Sequence, residues 1–121
     1  MGREFEPSSP WRGSEPENIW PREVPGFQEA TLALYRALDE LGVTILRAIA
    51  LGLGLPERFF DNVVDHGNSV LRPIHYPPLP KPCPPGVRAA AHEDINLITL
   101  LVCSDAPGLE LLNREGQWLP L

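Results

Sequence analysis

The chain has 121 residues, the length of a single domain, and its ten Lys and Arg against sixteen Asp and Glu leave a net charge of −6. This acidic balance argues against a nucleic-acid-binding protein, because neutralising backbone phosphates requires clustered cations. Fifteen prolines, against an average usage of about 5% of residues, exclude a simple helical bundle, since proline breaks helix interiors.

The sequence shows no pattern typical of secretion or membrane insertion. Residues 1–19 contain charged side chains throughout and no apolar core of signal-peptide length. The longest apolar run, residues 41–55, is interrupted by Arg47 and is shorter than the ~18 residues of a membrane span. Two cysteines are too few for a disulfide-built scaffold. We therefore expect a cytoplasmic protein with reduced thiols and no membrane partner.

The first half of the chain divides into an arm and a helical segment. Residues 1–26 are polar, aperiodic and rich in proline, which predicts an irregular arm held to the rest by its aromatic side chains. Within the helical segment, residues 27–66, an apolar spacing of three and four predicts an amphipathic helix over residues 27–54. The apolar positions are Phe27, Ala30, Leu34, Leu38, Leu41, Ile45, Ile49 and Leu53. Gly52 and Gly54 suit its end, and Pro56 suits the first turn of a second helix, residues 56–64.

The second half, residues 67–121, has the pattern of strands. The predicted strands are residues 69–76, 87–94, 96–103, 109–113 and 117–121, with turns at 105–108 and 114–116. Residues 97–103 are apolar on both faces, which predicts a strand buried inside a sandwich. The proline-rich residues 77–86 are interpreted as a stiff surface connection, with a polyproline ligand as the alternative. Helices followed by strands indicate an α+β chain that opens into a β-sandwich or jelly roll.

The candidate site is the sequence His92-Glu93-Asp94. In a strand, residues two apart project to the same side, so the side chains of His92 and Asp94 are expected to point together and Glu93 away. An imidazole nitrogen and a carboxylate oxygen on one face make two-thirds of the facial triad that holds non-haem Fe(II). A short motif of this kind also occurs by chance as a surface histidine beside acidic residues.

Further motifs surround this pair in a fixed order. They are Gly67 to Pro78 with its Tyr76-Pro77 step, the apolar residues 95–101, the segment 106–111 with Pro-Gly-Leu, and Gly116-Gln-Trp118. Together with the His-x-Asp motif they resemble the isopenicillin N synthase-like family of Fe(II)- and 2-oxoglutarate-dependent dioxygenases. The resemblance covers residues 67–119 closely and extends through the helices to Trp20.

The resemblance implies a jelly roll (double-stranded β-helix) over residues 67–121, present here only in part. It implies His92 and Asp94 as ligands of Fe(II), and Tyr76 as a hydroxyl that contacts the carboxylate of the co-substrate 2-oxoglutarate. Arg72, four residues earlier on the same strand face, is a candidate for the substrate side of the pocket. The alternatives are a core tyrosine at position 76 and a surface ion pair at Arg72. The implied reaction is oxidation of a small organic substrate with O2.

The sequence departs from the family after residue 121. Family members carry a second metal histidine and an Arg-x-Ser pair further downstream, so the chain is expected to be a central fragment with little or no oxygenase activity on its own. His66 and His75 are poor substitutes for the missing histidine, because one follows a helix and the other faces away from Tyr76. The alternative is a truncated, catalytically inactive metal-binding or protein-interaction module, which open sheet edges would allow to associate.

Overall fold

The structure, a computed structural model, describes residues 17–65, 67–82, 86–102 and 106–121. In chain order these contain helix α1 (Phe27–Gly52), helix α2 (Asp61–Val64), strand β1 (Glu110–Leu112) and strand β2 (Trp118–Pro120). The predicted order of helices before strands is therefore observed. His66, Cys83 and Cys103 lie outside the described residues, as do the first sixteen residues of the arm.

Helix α1 begins and ends at glycines with left-handed backbone. Gly26 precedes it with φ 78°, and the ring of Trp20 from the arm packs edge-on against Phe27 with centroids 6.3 Å apart. At the other end Gly54 has φ 70°, its N–H donates to the Leu51 carbonyl, and the Leu55 N–H donates to the Ala50 carbonyl. These two bonds satisfy carbonyls that the helix itself leaves unpaired, which is why it ends here.

The covered face of α1 differs from the predicted one. Leu46 and Ala50 are the buried hydrophobic residues in the described part of the chain, whereas Leu34, Leu41 and Ile49 are exposed. The prediction failed because apolar side chains occupy more than one face of this helix, so their spacing did not decide which face would be covered. Which face of α1 is covered therefore depends on the segments that pack against the helix.

The segments that follow α1 make polar contacts with side chains of this helix. Residues 56–60 form successive turns, and α2 begins at Asp61, so the predicted second helix is shorter than residues 56–64. Arg47 donates to both carboxylate oxygens of Asp61, at 3.2 and 2.8 Å, and this bond lowers the pKa of Asp61 and raises that of Arg47. The Tyr35 hydroxyl donates to the Ser69 carbonyl at 3.0 Å, which ties the next segment to the middle of α1.

Residues 96–102 pack on α1 from one side only. A Cβ added at Gly42 would lie 3.8 Å from the Leu100 side chain and 3.9 Å from the Ile98 side chain, so these two residues face the helix. Leu97 and Leu101 remain 52% and 64% exposed. The prediction of a strand buried on both faces is therefore wrong for the described residues, because the face that carries Leu97 and Leu101 remains exposed.

Strand pairing is limited to a hairpin in the part of the chain that the structure describes. Strands β1 and β2 are antiparallel, with Leu111 opposite Leu119. The predicted turn between them is confirmed: Asn113 accepts at Oδ1 from the N–H groups of Glu115 and Gln117, and Gly116 has φ 78°. The predicted strands at residues 69–76, 87–94 and 96–102 are not formed, because a strand requires a hydrogen-bonded neighbour and these segments pair with none here.

Among the described residues, no helix combines the length and the apolar character that crossing a bilayer requires.

Candidate metal site

The side chains of His92 and Asp94 lie close together on the segment before residues 96–102. His92 Nε2 is 3.7 Å from Asp94 Oδ1. The segment is not a strand, yet the two side chains two residues apart still face each other. Both are open to solvent, with 64% of the His92 side chain and 43% of the Asp94 side chain exposed.

The imidazole of His92 is oriented by the backbone. Its Nδ1 lies 2.8 Å from the Ala90 carbonyl oxygen, which can only accept a hydrogen bond, so Nδ1 is the donor in this contact. In the neutral imidazole the lone pair is then on Nε2, the nitrogen that faces Asp94. Histidines that bind metals commonly donate their second ring N–H to a carbonyl or carboxylate in this way.

The two oxygens of Asp94 have different neighbours. Oδ1 faces His92, while Oδ2 accepts a hydrogen bond from the Thr99 hydroxyl at 2.5 Å. Thr99 Oγ1 in turn lies 3.3 Å from the Asn96 amide nitrogen, which donates to it. The carboxylate is thus held on one side and left open on the side of the imidazole.

The pair fits a divalent ion such as Fe(II). Two donors about 2.1 Å from one ion lie ~3.0 Å apart when they are neighbours on an octahedral face, so Nε2 and Oδ1, 3.7 Å apart, are within about 1 Å of the spacing at which both bind the same ion. A neutral imidazole and a hard carboxylate are ligand types of non-haem Fe(II) sites. No cluster of three or more His, Cys, Asp or Glu able to hold a metal occurs within residues 17–65, 67–82, 86–102 and 106–121. Among the described residues the candidate donors that lie together are therefore two, His92 and Asp94.

Tyr76 and Arg72 do not join this pair. Tyr76 is 49% exposed and its ring lies beneath the guanidinium of Arg88, 5.8 Å from the ring centroid. Arg88 also donates to the Pro77 carbonyl at 2.7 Å, so it holds the Tyr76-Pro77 step from two sides. In the described chain neither Tyr76 nor Arg72 has a hydrogen bond or ion pair with His92 or Asp94.

Sequence reasoning missed two residues near Asp94, Thr99 and Asn96, and a third beside Tyr76, Arg88. Thr99 and Asn96 were included in an apolar run, and Arg88 was assigned no role. A usable signal was present, because two polar side chains interrupting an otherwise apolar segment close to a metal-binding motif have a reason to contact it. The contact of Arg88 with residue 77 had no such local signal, since eleven residues separate the two partners.

Comparison with curated proteins identifies relatives, although no family model matches the sequence. The chain is 37% identical over 108 residues to the 2-oxoglutarate-Fe(II) type oxidoreductase hxnY of Emericella nidulans, covering 84% of this chain and 31% of that protein. It is 35% identical over 102 residues to the 2-oxoglutarate-dependent dioxygenase htyE of Aspergillus rugulosus, covering 82% and 31%. Leucoanthocyanidin dioxygenase of Malus domestica is 31% identical over 105 residues, covering 84% and 29%. The chain thus spans about a third of the length of these relatives.

A solved structure has the same fold as this chain. It is a protein from Caulobacter crescentus assigned to the 2OG-Fe(II) oxygenase family, 49% identical in sequence, with a TM-score of 0.89. The match covers 100% of this chain and 39% of the other. The similarity in sequence and structure confirms the resemblance that the order of motifs indicates.

Proposed function

Since the chain is a relative of the 2-oxoglutarate- and Fe(II)-dependent oxygenases and spans about a third of their length, we propose that it is a segment of such an enzyme, with residues 67–121 as part of its jelly roll. The proposed reaction is the oxidation of a small organic substrate with O2. When bound, Fe(II) and 2-oxoglutarate supply the means of activating O2. A cytoplasmic location stays a prediction of the sequence.

The proposed metal ligands are His92 through Nε2 and Asp94 through Oδ1. The observation that carries the proposal is their 3.7 Å separation, together with the bond from His92 Nδ1 to the Ala90 carbonyl that leaves Nε2 free to bind. Each proposed ligand has one atom in a hydrogen bond with the protein, His92 Nδ1 or Asp94 Oδ2, and a second atom that faces the other ligand. This arrangement orients both donors before an ion arrives, which lowers the cost of binding it.

Tyr76 and Arg72 have proposed roles that follow from the resemblance. Tyr76 would contact the 2-oxoglutarate carboxylate through its hydroxyl, and Arg72 would face the substrate. Arg88 supports the first role, because its contacts with the Tyr76 ring and the Pro77 carbonyl restrict how the ring can move. About half of the Tyr76 surface, 49%, is exposed and so open to a ligand.

A Co(II) titration of the 121-residue chain tests the proposal. Co(II) binds to the same donor types as Fe(II) and absorbs visible light when bound. We expect saturable binding of one ion, tightened by 2-oxoglutarate, since a keto acid occupies further positions on the metal. Glutarate, which lacks the keto group, should have no such effect. A chain that binds no Co(II) saturably, with or without 2-oxoglutarate, would contradict the proposal.

A second proposed function is association through the β1 edge. Asn113 N–H donates to the Gln117 carbonyl and Leu121 N–H to the Leu109 carbonyl, so the alternating pattern leaves the backbone groups of Leu112 pointing away from β2. Pro120 removes one donor from the opposite edge, whereas β1 retains its own. An edge with unpaired donors and acceptors favours pairing with another strand.

Replacing Leu112 by proline is expected to weaken self-association of the chain severalfold, since it removes one outward N–H donor worth about 1 kcal/mol. Leu112→Ala is the matched control, because it shortens the same side chain and keeps the N–H. Sedimentation velocity over a range of concentrations gives both affinities. Equal affinities for the two variants, or a wild-type chain that stays monomeric, would contradict association through this edge.

A further inference from the structure

Thr99 controls which oxygen of Asp94 faces the imidazole. A free carboxylate can rotate and exchange its two oxygens, but the 2.5 Å bond from the Thr99 hydroxyl engages Oδ2. The other oxygen, Oδ1, then remains on the side of His92 Nε2. A hydrogen bond to an ionised acceptor is among the stronger kinds, so this contact is able to hold the carboxylate even near solvent.

Asn96 directs the hydroxyl that makes this bond. A threonine hydroxyl has one hydrogen and can point it in several directions. Because Thr99 Oγ1 accepts from the Asn96 amide at 3.3 Å, its own hydrogen is available for Asp94 Oδ2. The three side chains form a directed series in which Asn96 donates to Thr99 and Thr99 donates to Asp94.

Helix α1 supports Thr99 from behind. The residues on either side of it, Ile98 and Leu100, face Gly42, where an added Cβ would be 3.9 and 3.8 Å from their side chains. Their contact with the helix anchors the backbone at Thr99. The position of the hydroxyl is therefore set by packing on α1 as well as by the local sequence.

We propose that Thr99 is a positioning residue for the metal site, holding Asp94 so that Oδ1 alone is presented beside His92 Nε2, with Asn96 orienting its hydroxyl. The inference rests on the proposed function, because it requires His92 and Asp94 to bind a metal. Thr99 does not itself contact the ion. Its role is to keep the carboxylate in one orientation, which favours binding through a single oxygen.

The test compares Thr99→Val with Thr99→Ser in the 121-residue chain. Valine has the shape of threonine without the hydroxyl, whereas serine keeps the hydroxyl and loses only a methyl group. We expect Thr99→Val to weaken Co(II) binding about tenfold, the lower end for residues that orient metal ligands, because this site is exposed. The visible spectrum of bound Co(II) should also change in Thr99→Val. Thr99→Ser should restore both the affinity and the spectrum.

Thr44→Val is the control for hydroxyl loss elsewhere. Thr44 donates only to the Glu40 carbonyl of its own helix, so its replacement should leave Co(II) affinity unchanged. Circular dichroism checks that all variants remain folded to the same extent. Wild-type affinity in Thr99→Val, or a Thr99→Ser variant as weak as Thr99→Val, overturns the positioning role alone. Absence of Co(II) binding by the wild-type chain overturns the proposed function and this inference with it.

Discussion

Asp94→Asn is expected to weaken Co(II) binding by the chain by more than tenfold. Asparagine keeps the size of the side chain and an oxygen for the Thr99 bond, but it removes the negative charge that binds the ion. With two donors among the described residues, each contributes a large share of the affinity, so losing one leaves little. His92→Gln should have a comparable effect, since it removes the Nε2 lone pair. The Co(II) titration measures both.

Glu93→Gln is the matched control for these substitutions. It removes the same charge from the residue between the two proposed ligands, whose side chain is predicted to point away from them. We expect its Co(II) affinity to stay within about twofold of the wild-type value, the size of a general electrostatic effect at the surface. If Glu93→Gln weakens binding as much as Asp94→Asn, the ion is attracted by overall charge and Asp94 has no special role.

The second large effect is expected at Leu46, whose replacement by alanine should lower the free energy of unfolding by about 2–3 kcal/mol, within the range for buried leucines. Leu46 is 5% exposed and lies one helical turn from Ala50, the other buried hydrophobic residue in the part of the chain that the structure describes. Removing its side chain leaves a space between α1 and the segments that pack on it. Urea unfolding followed by circular dichroism measures the change.

Leu51→Ala on the same helix is the comparison. The substitution removes the same atoms, and the Leu51 side chain is 60% exposed, so we expect a change of less than ~0.5 kcal/mol. The helix propensities of the two substitutions are alike, which isolates the effect of burial. Similar losses for the two variants would mean that α1 does not pack through the face that contains Leu46.

Much of the local structure follows from residues that are close in sequence. Helix α1 begins at the predicted residue and ends within two residues of the predicted end, because its terminal glycines allow the left-handed backbone that closes it. The turn at Asn113 to Gly116 is similarly local. For the site, His92 and Asp94 face each other as predicted, although the strand on which that prediction was based is not formed. The number of ligands and the role of Tyr76 remain predictions.

Other features depend on residues that are distant in sequence. The spacing of apolar residues predicts the wrong covered face of α1. Apolar residues such as Leu34 and Leu46 lie on different faces of the helix, and in the folded chain the face of Leu46 is the buried one. The predicted strands at 69–76 and 87–94 require partners, and the described residues pair only β1 with β2. Residues 97–103 are predicted to be buried on both faces, and the described ones among them face α1 through Ile98 and Leu100 while Leu97 and Leu101 stay exposed.

Taken residue by residue, the amino-acid sequence on its own determined the helix ends, the hairpin turn and the His-x-Asp pair. Each of these arises from hydrogen bonds or side-chain directions within about five residues of chain. Only the tertiary structure decided that Arg88 lies over Tyr76 and that Ile98 and Leu100 face Gly42 of α1. The reason is that such contacts depend on how the backbone bends and packs on α1, where many arrangements share the same local preferences.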